Sequence, residues 1–372
     1  MADGRDPLRG AVTGANRKTR VLVVDDSAIV RRILTDALAS QPDIEVVATA
    51  PDAYVARDKI LALAPDVLTL DIEMPRMDGL TFLQKIMQHR PMPVIVISSL
   101  GQAGCEAAIK ALASGAVDVL AKPGGPYSVG DLIALLPDRI RAAAAARVRR
   151  RTGCEEERAA PAKPPAPAER PGSPVSLIAI GASTGGTEAI EAVLREIDPA
   201  SPGIVIVQHI PAGFSRAFAE RLNRVCPIRV KEATDGDRVE CGSALIAPGD
   251  FHMVVRRAGR SFRVTVEKGP PVCYQRPSVD VLFASAANAA AASAVGVILT
   301  GMGRDGAQGL LKMRQAGAFT IAQDEASSVV YGMPREAVIA GAVDRVLPLR
   351  KIALEIARVA NSGDGVKTPL SA

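Results

Sequence analysis

Residues 177–186 read LIAIGASTGG. The first four are apolar with no polar residue between them. Such a run suits a strand buried on both faces, as in a parallel sheet covered by helices on each side. It ends in Gly181-Ala182-Ser183-Thr184-Gly185 and passes into a helical stretch. Runs of the same kind recur downstream at 204–207, 244–247, 295–299 and 319–322, and upstream at 21–24, 45–50, 67–70, 94–97 and 117–120. Helical patterns separate them, which predicts α/β layering. Residues 252–256 and 262–267, joined by the polar turn 257–260, predict an antiparallel β-hairpin. No internal repeat is visible.

A chain of 372 residues suits two domains. Residues 154–174, CEEERAAPAKPPAPAERPGSP, hold six prolines and almost no large apolar side chain, the composition of a linker. The expected division is a polar N-terminal arm over 1–19, a first domain over 20–140, a linker over 141–175, a second domain over 176–355 and a tail over 356–372. The Ala- and Arg-rich stretch 132–151 predicts a helix closing the first domain. Hydrophobic residues make up 48%, aromatics only 3%, and Trp is absent, so the cores are packed with Ala, Val, Leu and Ile. Cysteines at 105, 154, 226, 241 and 273 are scattered, with no CxxC pair, which argues against a disulfide scaffold or zinc ribbon. No apolar run approaches the ~18 residues of a membrane helix, and the N-terminus has no apolar signal core. The net charge of +5 is concentrated: segment 141–175 carries seven arginines and Lys163 against four glutamates, a net +4. A basic nucleic-acid face is not indicated.

In open α/β sheets, ligands collect at the carboxyl ends of strands. In the first domain those ends carry Asp25 and Asp26, then Asp71, then Ser98 and Ser99, then Lys122. Converging carboxylates need a cation, and hard oxygen ligands suit Mg²⁺. A carboxylate beside such an ion can attack a phosphoryl group and become an acyl phosphate, with Ser98 and Lys122 holding its oxygens.

In the second domain, Gly-x-Ser-x-Gly after a strand has the form of a nucleophile elbow, with helix N–H groups available for an oxyanion. A phosphate-binding glycine loop and a plain tight turn remain open from these residues alone. His209 adds weight to the elbow. It is one of only three histidines, with His89 and His252, and directly follows the 204–207 strand. At that edge it could serve as general base. Asp305, in the glycine-rich turn after 295–299, could orient it. The order Ser183, His209, Asp305 differs from the Ser, acid, His order of α/β-hydrolases, so the same geometry would be reached separately.

The patterns VLVVDDS, LTLDIEMPRMDG, VIVISS and VDVLAKP resemble the receiver domain of two-component response regulators over the whole first domain. The resemblance implies a flavodoxin-like five-stranded parallel sheet. It makes Asp71 the phospho-acceptor, Asp26, Asp71 and the main-chain carbonyl of Glu73 the Mg²⁺ ligands, with Asp25 adjacent, and Ser98 and Lys122 the switch pair. Val119 stands where such domains often carry an aromatic residue. The patterns IGASTGGTEAI, IVQHIPAGFS, DVLFASAA, ILTGMGRDGAQGL and QDEASSVVYGMPREA resemble the catalytic domain of the chemotaxis-type protein-glutamate methylesterases, over 176–350. That resemblance implies a doubly wound, mostly parallel α/β esterase domain. In it Ser183 is the nucleophile, His209 the base and Asp305 its orienter, with Thr184 and Met302 at the site and the Met302 N–H as an oxyanion donor. His252 also matches and reads as structural or near the substrate groove.

Together the two resemblances imply phosphorylation-activated hydrolysis of glutamate γ-methyl esters on chemoreceptor cytoplasmic helices, with deamidation of receptor glutamines by the same route. They imply a sensor histidine kinase as phosphodonor, a cytoplasmic location, and no cofactor for the ester chemistry. The rival readings are a regulator whose second domain only binds a protein partner, and a DNA-binding output. All three triad candidates are present, against the first. The missing basic face stands against the second.

Overall fold

The computed structural model describes residues 17–122, 129–148 and 175–362. The proline-rich stretch 154–174 and most of the expected arm and tail lie outside them. The first unit runs β1 (Thr19–Val24), α1 (Ala28–Ala39), β2 (Ile44–Ala50), α2 (Ala53–Leu63), β3 (Val67–Asp71), α3 (Gly79–His89), β4 (Val94–Ser98), α4 (Gln102–Ala113), β5 (Asp118–Ala121), α5 (Val129–Ala144). Its five strands lie in the order β2-β1-β3-β4-β5, every pair parallel. All five expected strands form, with ends moved by a residue or two. β3 and β4 are buried along their whole length, their mostly apolar sequences broken by Thr69 and ending in Asp71 and Ser98.

The second unit runs β6 (Leu177–Ala182), α6 (Gly186–Arg195), β7 (Gly203–Gln208), α7 (Phe214–Val225), β8 (Arg229–Glu232), β9 (Arg238–Val239), β10 (Ser243–Ile246), β11 (His252–Ala258), β12 (Ser261–Glu267), α8 (Val279–Ala290), β13 (Ala294–Ile298), α9 (Ala307–Gln315), β14 (Phe319–Gln323), α10 (Met333–Ile339), β15 (Arg345–Leu347), α11 (Leu349–Ser362). Seven strands form one sheet in the order β15-β14-β13-β6-β7-β10-β8, again parallel throughout. β11 and β12 make the expected hairpin, which a two-residue strand, β9, extends to three.

The order of this sheet explains where a site can form. β6 is central, with β7 on one side and β13 on the other. The chain winds from β6 toward β7, then returns to add β13 on the opposite flank. That reversal opens a crevice at the carboxyl ends of β6, β7 and β13. Ser183, His209 and the 300–305 turn leave the sheet there.

The two units are docked. α4 packs against α7, and Cys105 and Ala108 share one contiguous apolar cluster with Phe214 and Phe218. At the N-cap of α7, Gly213 lies so close that a Cβ would sit 3.4 Å from the Cys105 Sγ.

Candidate active site

The turn after β6 is tight because small residues let it be. A Cβ on Gly186 would come within 2.1 Å of the Gln208 side chain, and one on Gly181 within 2.1 Å of Val279. Gly185 adopts φ 76°, a left-handed conformation that glycine takes without strain. Ser183 is buried at the top of this turn. Its N–H donates to the Thr300 carbonyl at 3.0 Å, tying the β6 and β13 exits together. Gly301 presses on it: a Cβ there would meet the Ser183 Cβ at 2.7 Å. That contact puts the Gly301 backbone, one residue before Met302, against the serine.

His209 follows β7 directly, and its N–H donates to the Ala182 carbonyl at 3.1 Å. Its Nε2 meets the Asp305 Oδ2 at 2.7 Å. A carboxylate only accepts, so Nε2 carries the proton and Nδ1 is the basic nitrogen. Nδ1 is buried with no hydrogen-bond partner. Asp305 sits over the start of α8. Its Oδ1 accepts from the Ser278 Oγ at 2.8 Å and the Asp280 N–H at 3.0 Å, and its Oδ2 also accepts from the Val279 N–H at 2.7 Å. Burial pushes its carboxyl up, but the hydrogen bond and charge of His209 and these backbone N–H groups outweigh that and hold it below the usual carboxylate range.

The structure thus brings Ser183, Thr184, His209, Met302 and Asp305 to one crevice. It also brings residues that sequence reasoning missed. Arg139 of α5 donates from Nη1 to the Asp118 Oδ2 at 3.0 Å, the Ser183 Oγ at 3.3 Å and the Thr184 Oγ1 at 3.4 Å. The Thr184 hydroxyl donates to the same Asp118 oxygen at 2.8 Å. The Gly185 N–H donates to the Val117 carbonyl at 3.3 Å. Three consecutive residues of the elbow are therefore engaged by the first unit. Farther out, Arg147 pairs with Glu325 at 2.8 Å. The one available signal was Asp118 itself, a charge inside an apolar strand, which demands a buried partner. Ser278 was legible as a cap, since it stands just before an Ala-rich helical run.

His252 is structural here. Its Nδ1 accepts from the Ser278 N–H at 3.2 Å, so Nε2 donates, to the Pro270 carbonyl at 3.0 Å.

The first unit gathers its own site. Asp25, Asp26 and Asp71 offer oxygens that all lie within 4.8 Å of one another. The Lys122 Nζ lies 2.7 Å from Asp71 and 3.5 Å from Asp25. Burial pushes Asp71 up to about 6, helped by repulsion from Asp25 and opposed by Lys122 and the Glu73 N–H. Burial likewise raises Asp25. Carboxylates that resist ionising together are a donor set suited to a divalent cation. Ser98 is buried, and its Oγ donates to the Gly104 carbonyl at 3.0 Å. Val119 is buried in β5.

The CheB methylesterase family model matches residues 178–356, and the response regulator receiver domain model matches 21–134. The protein-glutamate methylesterase/protein-glutamine glutaminase 2 of Syntrophus aciditrophicus (strain SB) is 57% identical over 352 residues, covering 92% of this chain and 99% of its own. The protein of that name numbered 4 in Anaeromyxobacter dehalogenans (strain 2CP-C) is 54% identical, over 94% of this chain and 97% of its own. A crystal structure of the Thermotoga maritima CheB methylesterase catalytic domain aligns with 50% of this chain and 98% of its own, at 35% identity and a TM-score of 0.49. With identity above 50% along nearly the whole length of such relatives, this chain belongs to the CheB methylesterase family, with a receiver domain ahead of its catalytic domain.

Proposed function

We propose that this chain is a phosphorylation-activated protein-glutamate methylesterase and protein-glutamine deamidase. Its substrates are the cytoplasmic helices of methyl-accepting chemoreceptors. The observation that carries the reading is an elbow serine and, at the end of the neighbouring strand, a buried histidine held by an aspartate kept below the usual carboxylate range, on the crevice of a parallel sheet. The relatives' names give no support to a purely binding output.

Ser183 attacks the ester carbonyl through Oγ while His209 takes the hydroxyl proton on Nδ1. Asp305 keeps the other ring proton on Nε2 and stabilises the imidazolium. The carbonyl oxygen becomes an oxyanion, for which the Met302 and Gly185 N–H groups are candidate donors. The tetrahedral adduct collapses, the C–O bond to methoxide breaks, and His209 returns its proton to give methanol. Water then attacks the acyl-serine with His209 again as base, releasing glutamate. With glutamine the leaving group is ammonia and the rest is unchanged.

In the receiver, Asp71 is the phospho-acceptor, and a sensor histidine kinase supplies the phosphoryl group. Asp26, Asp71 and the Glu73 carbonyl would hold Mg²⁺, which supplies charge neutralisation for phosphoryl transfer. Lys122 already faces Asp71 and would meet the phosphoryl oxygens, with Ser98 turning toward them. The enzyme works in the cytoplasm; among the described residues no helix is long and apolar enough to cross a membrane. We take the domains as a receiver over 20–140 and a catalytic domain over 176–355, joined by the 141–175 linker.

The test is methanol release from methylated receptor membranes, with and without a small phosphodonor. Wild type should release methanol faster with the donor. Ser183→Ala, still folded, should lose on the order of 10⁴-fold or more. Near-normal release by folded Ser183→Ala would rule out the mechanism.

A further inference from the structure

The segment 269–278 connects β12 to α8 and is pinned at both ends by His252, through Pro270 and Ser278. In its middle, Val272 and Gln275 exchange both backbone hydrogen bonds, at 3.1 and 2.9 Å. Only two residues lie between, Cys273 with φ 50° and Tyr274 with φ 61°. A two-residue turn with both φ values positive is of the I′ kind, which Asn-Gly fills comfortably and which a Cys-Tyr pair fills only with strain. Turn geometry therefore does not account for these residues, and strained positions concentrate where a side chain has a task.

Cys273 is accounted for within the fold. Its Sγ lies 3.9 Å from the Asp280 Oδ2, and its sulfur, Asp280 and the triad acid Asp305 all lie within 4.8 Å of one another. Tyr274 is not. It is 91% exposed, more than any other large apolar side chain among the described residues. An aromatic ring thus stands in solvent one residue from a thiol that lies within 4.8 Å of the triad's acid. Exposed Arg304 directly precedes that acid. Half-exposed Phe251, under the Lys268 ammonium at 6.0 Å, lies beside Asp250, whose N–H donates to the Arg276 carbonyl of this same segment.

We propose that Tyr274 is a specificity-determining contact for the polypeptide that carries the esterified glutamate. The inference rests on the protein-ester reading above. The methyl ester itself must enter as far as Ser183. Tyr274, outside on a turn fixed by His252, packs on the backbone and side chains flanking that glutamate. Tyrosine suits this work, since it covers a large area with only two rotatable bonds to immobilise. A small soluble ester has nothing to place there, so discrimination between protein and small esters runs through this ring.

The experiment uses the full chain with a phosphodonor, comparing wild type, Tyr274→Gly and Tyr274→Phe. It measures kcat/KM for methanol release from methylated receptor membranes, kcat/KM for N-acetyl-glutamate γ-methyl ester, and the thermal midpoint. Glycine relieves the turn, so Tyr274→Gly should melt no lower than wild type. Its ratio of membrane to small-ester kcat/KM should fall about tenfold, chiefly through a higher KM on membranes. Tyr274→Phe should keep most of the ratio. An unchanged ratio in Tyr274→Gly, or an equal loss on both substrates, overturns the proposal. Failure of wild type to release methanol from membranes while it cleaves the small ester overturns the protein-ester reading, and this proposal with it.

Discussion

Asp305 accepts four hydrogen bonds on two oxygens: His209 and the Val279 N–H on Oδ2, Ser278 and the Asp280 N–H on Oδ1. Held below the usual carboxylate range, it stays ionised across neutral pH. Its support for the fold is present at neutral pH and is lost only as the pH falls through its depressed value. Asparagine cannot replace it in either orientation. With the NH₂ toward His209, the Val279 N–H loses its acceptor and the imidazole is driven to the wrong tautomer. With the NH₂ on the other side, the Asp280 N–H is orphaned instead. Asp305→Asn should therefore lower the hydrolysis rate on the order of 10⁴-fold and cost about 1–3 kcal/mol in urea unfolding. A full rate in the Asn variant would remove Asp305 from the site. The acid was legible in the sequence because it stands in the glycine-rich turn that follows a strand. Its donors were not, since nothing in the chain ties residue 278 to residue 305 until the sheet is assembled.

A single helix terminus does two jobs at this site. Ser278 caps α8 by accepting from the Val281 N–H at 3.4 Å, and its own proton goes to Asp305. Ser278→Ala should destabilise the chain by about 1 kcal/mol. It should also slow hydrolysis, though less than Asp305→Asn does, because two backbone donors still hold the carboxylate. Circular dichroism melting and a methanol-release rate test this; an unchanged rate would mean that the cap serves the helix alone. Elements of this sheet were legible in proportion to their burial. β6, β7 and β13 lie at its centre and are buried on every residue, so their sequences are apolar runs, polar only at Gln208, the last residue of β7. β8, β9 and β15 were not foreseen from the sequence. The first is Arg-Val-Lys-Glu with two exposed residues, the second has two residues, and the third has two of three exposed. At an edge the backbone pairing is real, but one face meets water, and the apolar signal disappears.

At the scale of the whole molecule, the receiver covers the Ser183 turn with groups from the other end of its sheet than Asp71 and Lys122. Asp118 and Val117 stand at the amino end of β5, whereas Asp71 and Lys122 stand at the carboxyl ends of their strands. Arg139 occupies the Ser183 oxygen, Asp118 the Thr184 hydroxyl and the Val117 carbonyl the Gly185 N–H, so no ester can reach the elbow while this dock persists. Apart from the buried charge of Asp118, the residues that make this dock were not legible beforehand, because Arg139 and Ser183 are far apart in sequence and meet only when two domains dock. Release must then be a movement of the whole interface. The β4–α4 connection offers a route: Ser98 would give up the Gly104 carbonyl to reach a phosphoryl group on Asp71, at the head of the helix that packs on α7. Arg139→Ala tests the dock directly. It leaves the Asp118 carboxylate buried without its cation, a strongly unfavourable arrangement. Loss of about 1.4 kcal/mol of docking corresponds to a tenfold shift toward the open form. The basal rate of the full unphosphorylated chain should rise about tenfold, approaching that of a fragment starting near Pro174, and a phosphodonor should add less than it does to wild type. Asp71→Asn should stay near the basal rate when the donor is added. A basal rate unchanged in Arg139→Ala, together with a fragment no faster than the intact chain, would mean that the receiver does not restrain the esterase by covering it.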